Sequence, residues 1–500
     1  MSWKSIDPCS LHVLFKLKET KILWRGVVQQ INSKNSLQER YFIVATPGIF
    51  LIDKRTFPKS FSISKYFPFC DIHLLLIDSN SVIISDNISP KIDENTLTLI
   101  TTDQIEFCSI IFSVIKVLYP CDLSNFRFEC STDIKYDFEN SSYFYETECP
   151  IVDRFLNFLL KYPIPKNSHI EIIRETIKNL HNNAKSNNFC FTPELISNPF
   201  ILQIAFSIAY DPLINSIEID SLNFPSFFHN FFPILNISHS INFIHLKRVI
   251  FNGVMQFDQL YSNIDNISFE GCFVFNECNL CSLDFLHFLN LFASFKAGSV
   301  TKLKFTHCQI TPKIFNNILE AISTFPSFSK LEVLIFSNIS KGSLISMPII
   351  RLFNSKWMKE GRSLARFDLI NCELDISSFL LRILSVENSI DSLNFSGNNC
   401  INDFVSNCNS NPINTSNSIP DLHQLQVESN ECDDVEPVKR QKPAKKAIPF
   451  RKSVIPTSPP KIPIPKLPKK IQTEKIELKP IDLNNLYFPP HINLSHCSFT

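Results

Sequence analysis

Glycine is scarce in this sequence, with only eight in 500 residues, at 26, 48, 253, 271, 298, 342, 361 and 397. The closest two are 18 apart, which excludes both GxGxxG and GxxxxGK. Nucleotide enzymes built on a glycine cradle are therefore out. Charge of either sign is not in excess, since 48 basic residues meet 48 acidic ones. A net charge of zero gives no global attraction to nucleic acid, and none is expected as a partner. No run of 18 uncharged apolar residues exists, so no transmembrane helix is expected. Met1 to Ser10 are polar and carry Asp7, unlike a signal peptide. HExxH, GxSxG and HRD patterns are missing, and none of the twelve histidines falls in a nucleophile or metal pattern. We expect no catalytic residue, no metal and no cofactor, and read the chain as non-enzymatic.

What is present is phenylalanine, 47 residues of it, and sixteen scattered cysteines in a long chain. Scattered thiols in a chain of this size indicate a reduced, cytoplasmic protein, not a disulfide scaffold. Cys278-x-x-Cys281 has no partner pair and does not read as a zinc site.

Residues 22–28, 40–44, 49–52, 72–77, 81–85 and 96–101 read as strands, with a Pro47-Gly48 turn between the second and third. Ile105, Cys108, Phe112, Ile115 and Tyr119 then recur at helical spacing. Asp103 and Glu106 suit a capping pair, and Pro120 ends the helix. Strands closed by one helix, with Glu39-Arg40-Tyr41-Phe42-Ile43-Val44 before a glycine turn, resemble the pleckstrin-homology (PH) family. The resemblance implies an α+β β-barrel with a C-terminal helix over residues 1–122. It also implies a basic lipid-headgroup pocket, for which Lys21, Arg25, Lys34 and Arg40 are the candidates. The helix lacks the family's tryptophan, and Glu39 and Asp53 interleave with the bases. A structural module with a solvated charged face is the competing reading. Residues 123–210 read as a helical linker and N-terminal cap.

From 211 to 403 the template L-x-x-L-x-L-x-x-N/C-x-L recurs. Ile264-x-x-Ile267-x-Phe269-x-x-Cys272-x-Val274 fits it, as do Val300-x-x-Leu303-x-Phe305-x-x-Cys308-x-Ile310 and Leu364-x-x-Phe367-x-Leu369-x-x-Cys372-x-Leu374. Cys308, Ile339, Cys372 and Asn398 follow one another at 31, 33 and 26 residues. Stretches such as Pro312–Leu319 lie between these units and suggest a helix in each. We expect an α/β leucine-rich repeat solenoid of the long, helix-containing type. Ser268, Glu270, Lys304, Thr306 and His307 fall at variable positions of its concave strands and are candidates for binding a protein.

Residues 404–488 break the pattern. Six acids within 421–436 precede a tract, 439–470, with eleven Lys or Arg, eight Pro and no acid. Such a composition predicts a disordered insertion. Lys439, Arg440, Lys442, Lys445, Lys446, Arg451 and Lys452 are candidates for anionic lipid. Pro456, Pro459 and Lys461, and Pro465, Pro468 and Lys470, match the PxxPx(K/R) form of SH3 ligands. Pro489-x-x-Ile492-x-Leu494-x-x-Cys497 starts the template once more at 489–500, so the chain is expected to be incomplete.

A PH-like module, a helical linker and a leucine-rich solenoid in this order resemble the CARMIL family of actin-cytoskeleton regulators. That resemblance rests on architecture. It implies a membrane-proximal scaffold with actin-regulatory protein partners, at the cytoskeleton or the inner face of the plasma membrane. The family's capping-protein motif, roughly LxHxTxxRPK, does not occur here. A general protein-binding solenoid without membrane or actin role is the other expectation.

Overall fold

In the computed structural model, Ile22–Ile31 is the first strand of an antiparallel-rich sheet and turns Val28 and Gln30 inward. The described residues are 17, 19–32, 35–55, 60–86, 96–131, 143–162, 170–184, 186–220, 234–251, 267, 269–339, 346–355, 358, 364–374, 376, 380–385, 390–400 and 486–499. The strands are β1 Ile22–Ile31, β2 Leu37–Ala45, β3 Gly48–Arg55, β4 Ser60–Phe67, β5 Leu74–Asp78, β6 Ser81–Ser85, β7 Thr96–Ile100 and β8 Arg127–Cys130. Their order is β4-β3-β2-β1-β7-β6-β5-β8. β1 pairs with β2 along most of its length and with β7 at Gln29–Ile31. Helix α1, Gln104–Leu118, buries Phe107, Ile111, Val114 and Leu118. Trp24 meets Phe107 edge-on at 5.2 Å. The Trp24 ring also lies across Gly26, where a Cβ would come within 2.5 Å of it.

Among the described residues the expected barrel does not close. Closure needs β4 to pair with β5, but the outer edge of β5 is taken by β8, which runs parallel to it. Asp103 precedes α1 without a side-chain cap bond, so the expected capping pair is not formed. Of the face expected for α1, Cys108, Ile115 and Tyr119 are buried and Phe112 is half-buried, while Ile105 is exposed.

Helices α2 Pro150–Lys161, α3 Ile170–Asn183 and α4 Ile201–Ala209 follow. Every residue of α2 from Ile151 to Leu160 is buried, because two cores claim it. Phe155, Leu156 and Leu159 join the core that runs on into the parallel sheet, while Phe158 joins that of the antiparallel sheet. Two polar residues fasten the joint. Arg154, fully buried, donates from Nε to the Ser207 carbonyl (2.9 Å), from Nη1 to the Leu118 carbonyl (3.1 Å), and from Nη2 to Asp211. Asn157 donates to the Pro47 carbonyl (2.8 Å) and accepts from the Tyr119 hydroxyl (2.9 Å) and the Cys70 N–H (3.3 Å).

The parallel sheet has nine strands in the order β18-β16-β15-β14-β13-β12-β11-β10-β9. They are β9 Asn188–Phe191, β10 Ser216–Asp220, β11 Phe243–Lys247, β12 Gly271–Asn276, β13 Val300–Thr306, β14 Val333–Ser337, β15 Arg366–Ile370, β16 Ser392–Asn394 and, after β17 Asn399–Cys400, β18 His491–Asn493. β17 pairs separately with β19, Ser498–Phe499. Helices α5 Leu283–Leu291, α6 Pro312–Thr324, α7 Ser346–Asn354 and α8 Leu380–Leu384 stand in successive connections from β12 to β16. Thr311 caps α6, its hydroxyl accepting from the Ile314 N–H. One face of the sheet is sealed. Phe275, Phe305 and Phe336 stack there at 4.9 and 5.0 Å, and Leu334, Phe367 and Leu369 are fully buried.

After most strands the chain turns through one left-handed residue: Arg248, Glu277, His307, Asn338 and Asn371 have φ of 51–56°. The next residue but one in sequence from each strand end points back inward. At Cys278, Cys308 and Cys372 the thiol donates to the carbonyl of Leu246, Phe275 and Phe336 on the preceding strand, at 3.2–3.5 Å. This corrects one repeat. The strand is Gly271–Asn276, so Cys278 takes the place that the template assigned to Cys272. Gly271 explains the choice, because a Cβ there would meet the Asn242 carbonyl oxygen at 1.9 Å.

The insertion expected at 404–488 lies outside the described residues except for its end. Leu486 packs on the core and the Tyr487 N–H donates to the Leu384 carbonyl (2.7 Å). No helix among the described residues is long and apolar enough to cross a membrane.

Candidate functional site

The unsealed face of the parallel sheet is built by the residues between the buried ones. Register places them in rows. One row is Ser216, Phe243, Cys272, Lys302, Val333 and Arg366, and the next is Glu218, His245, Val274, Lys304, Ile335 and Asp368. A third is Asp220, Lys247, Asn276, Thr306, Ser337 and Ile370. Cys272, Val274, Val333, Ile335 and Ile370 are half-buried here, an apolar stripe among charges.

Most of those charges neutralise one another. His245 Nδ1 lies 3.2 Å from Glu218 Oε2. Asp220 accepts from Arg248 Nε at 2.8 Å and Nη2 at 2.5 Å, with Lys247 Nζ at 3.7 Å. Arg366 gives Nε (2.9 Å) and Nη2 (2.6 Å) to Asp368 Oδ2. Lys302 and Lys304 on β13 have no ion pair among the described residues. Two further polar atoms are closed from water and have no hydrogen-bond partner among the described residues, Thr306 Oγ1 and Asp368 Oδ1.

Of the residues expected to bind protein, Lys304 and Thr306 stand on this face. His307 lies just beyond β13 in its left-handed turn, exposed. Glu270 precedes β12 and Ser268 lies outside the described residues. The corrected register replaces those two by Cys272, Val274 and Asn276. Lys302, Val333, Ile335 and Arg366 were also missed. The spacing of 30 from Cys278 to Cys308 could have found the register, since Cys272 to Cys308 is 36.

The lipid candidates do not converge. Arg25 pairs with Ile43 and Arg40 with Val28, so the two side chains leave opposite faces of the sheet. Arg40 is bound by Gln38 (2.6 Å) and Gln30 (3.4 Å). Lys21 lies beside Thr46, about 23 Å along β1 from the level of Arg40. It lines a cleft of about 250 Å³ with Glu19, Thr147, Glu148, Cys149, Val152, Asp153 and His181. Three carboxylates oppose its charge there. Lys34, Lys439, Arg440, Lys442, Lys445, Lys446, Arg451 and Lys452 lie outside the described residues, as do Pro456, Pro459, Lys461, Pro465, Pro468 and Lys470. Among the described residues no His, Cys, Asp or Glu group is placed to hold a metal ion.

In that cleft Asp153 accepts from the Tyr145 hydroxyl (2.7 Å) and from the Thr147 hydroxyl. Burial raises its carboxyl above the usual value, with the two hydroxyls working against the rise. An acid raised in the fold holds more protons folded than unfolded. Its contribution to stability is full below the unfolded pKa, about 4, and is lost as pH climbs through the folded one. Asp153→Asn is expected to flatten this fall. Melting temperatures of both proteins across an acid-to-neutral pH series check it, and parallel curves would refute it.

Set against known proteins, the chain matches no family model and no curated protein.

Proposed function

We propose that this chain is a non-enzymatic protein-binding scaffold. On this reading the parallel sheet is the strand face of a leucine-rich repeat solenoid, and the antiparallel sheet with α1 is a PH-like base. Support for the solenoid comes from consecutive parallel strands, one per sequence repeat, with helices in the connections and an inward Cys or Asn after many of them. The observation that carries the function is the half-buried apolar stripe Val274, Val333 and Ile335 on the unsealed face, set among charges. Apolar centre and polar rim is the anatomy of an interface. A membrane-proximal, actin-regulatory role draws less support, because Lys21, Arg25 and Arg40 stand apart.

The test uses the full chain as bait in extract of its source cells. Val274→Arg with Ile335→Arg is expected to weaken capture of the protein partner roughly tenfold or more. Lys313→Glu on α6 leaves it unchanged. Capture indifferent to the strand substitutions refutes the reading. Sedimentation with phosphatidylserine liposomes that Lys21→Glu and Arg25→Glu abolish would favour the membrane role instead.

A further inference from the structure

We propose that the partner segment recognised on this face is acidic and carries an aliphatic side chain next to its carboxylate, with Lys302 and Lys304 as the receiving cations. This rests on the reading of the face as a protein-binding surface. The argument begins with the charge pairing. Asp220 with Lys247 and Arg248, and Arg366 with Asp368, are matched within the sheet, and Glu218 has His245 Nδ1 at hydrogen-bond distance. Lys302 and Lys304 have no carboxylate within ion-pair distance among the described residues. Both point from β13 to the same side, so their positive charge adds. Cys272 pairs with Lys302 in register, and Val274 with Lys304. Val333 and Ile335 flank them from β14.

The flanking residues set the strength and the spacing. Apolar neighbours exclude water when a partner docks, and a carboxylate between two ammonium groups then interacts at a lower effective dielectric. Strands lie about 4.8 Å apart and an extended peptide advances about 3.3 Å per residue. A peptide crossing the strands with its acid over β13 therefore brings a side chain over β12 or β14 within two residues. That side chain meets Val274, Val333 or Ile335. The recognition element is Asp or Glu within two residues of Leu, Ile, Val or Phe. A basic peptide is repelled by the same lysines.

The probe is a phage-displayed library of random dodecapeptides, selected on the immobilised full chain and followed by anisotropy with the enriched peptides. Enrichment of acid-plus-aliphatic sequences is expected. Their affinity should fall roughly tenfold or more in Lys302→Glu/Lys304→Glu. It should stay unchanged in Lys296→Glu/Lys313→Glu, which carries the same charge change away from the face. Affinity should also fall between about 50 and about 500 mM salt. Acidic peptides weakened equally by both double variants would overturn the proposal as non-specific attraction. Basic or uncharged peptides that Ile335→Gln releases would overturn the acidic preference and leave the protein-binding face standing. Peptides indifferent to Lys302, Lys304 and Ile335 would remove both.

Discussion

Replacing Asp211 by alanine is expected to cost about 3–5 kcal/mol of stability, because it strands the buried guanidinium of Arg154. That group has no water to fall back on: its side chain is 0% exposed. Burial pulls it below the ordinary guanidinium value, and Asp211 is the strongest influence in the other direction. Asp211 has a second duty, since its Oδ1 accepts the Leu213 N–H (2.9 Å). Asp211→Asn separates the two, keeping that bond and removing the charge. If the charge dominates, Asn should cost nearly as much as Ala. Arg154→Met should cost less than either. It removes the buried charge and leaves a carboxylate that is 11% exposed, though it frees the Ser207 and Leu118 carbonyls. Combining Arg154→Met with Asp211→Leu should recover part of the loss. Urea unfolding midpoints give the four values. An Asn variant as stable as wild type would show that the turn bond, and not the ion pair, matters. The same pair ties the end of α1 to α4, so its loss should also let the two sheets unfold at different urea concentrations.

Much of this fold was legible where one face of a strand is buried. Phe42 and Val44 on β2, and Leu75 and Ile77 on β5, alternate with more exposed residues and mark their strands. β4 was missed because Ser60, Ser62 and Ser64 read as a loop. β8 was missed because its four residues are held by β5, a partner about 50 residues away. Pairing of that kind leaves no local trace. On α1 the expected Cys108, Ile115 and Tyr119 are buried, but Phe107, Ile111, Val114 and Leu118 form an overlapping apolar set, so periodicity alone could not show that Ile105 stays outside. At β12 the template was placed six residues too early, and Gly271, which can approach Asn242, marks where the strand begins. Arg154 and Asn157 were invisible as structural residues. A charge and an amide in an apolar helix carry no period, and their partners come from several separate segments. At the candidate site Lys304 and Thr306 were legible from the repeat. Val333 and Ile335 were not, because a half-buried outward apolar residue reads as core. Nor were the polar pairs, since Glu218 and His245 meet only when β10 and β11 are placed in register.

Asn398 is expected to be the most sensitive position of the inward ladder, and Asn398→Ala should cost about 4 kcal/mol. Its amide sits at a place equivalent to Cys308 and Cys372 but meets greater demands. Nδ2 donates to the Leu369 (2.6 Å) and Phe395 (2.8 Å) carbonyls, and Oδ1 accepts from the N–H groups of Cys372 (2.8 Å) and Leu374 (3.3 Å). Removal leaves four backbone groups without that partner inside a closed interior. Each costs about 1–3 kcal/mol if unmet, and partial relaxation offsets some of the total. A thiol suffices at Cys308, three rungs earlier, because the backbone there serves itself. Leu280 N–H reaches the Gln309 carbonyl (3.0 Å), and Gln309 N–H reaches that of Cys278 (2.9 Å). Cys308 need only donate its thiol, so Cys308→Ala should cost about 1 kcal/mol. Asn398→Cys should fall between, keeping a donor for Leu369 while leaving the Cys372 and Leu374 N–H groups unmet. Chemical denaturation of the three variants orders them. Equal losses for Asn398→Ala and Cys308→Ala would mean that packing of the side chain, and not its hydrogen bonds, holds these turns together.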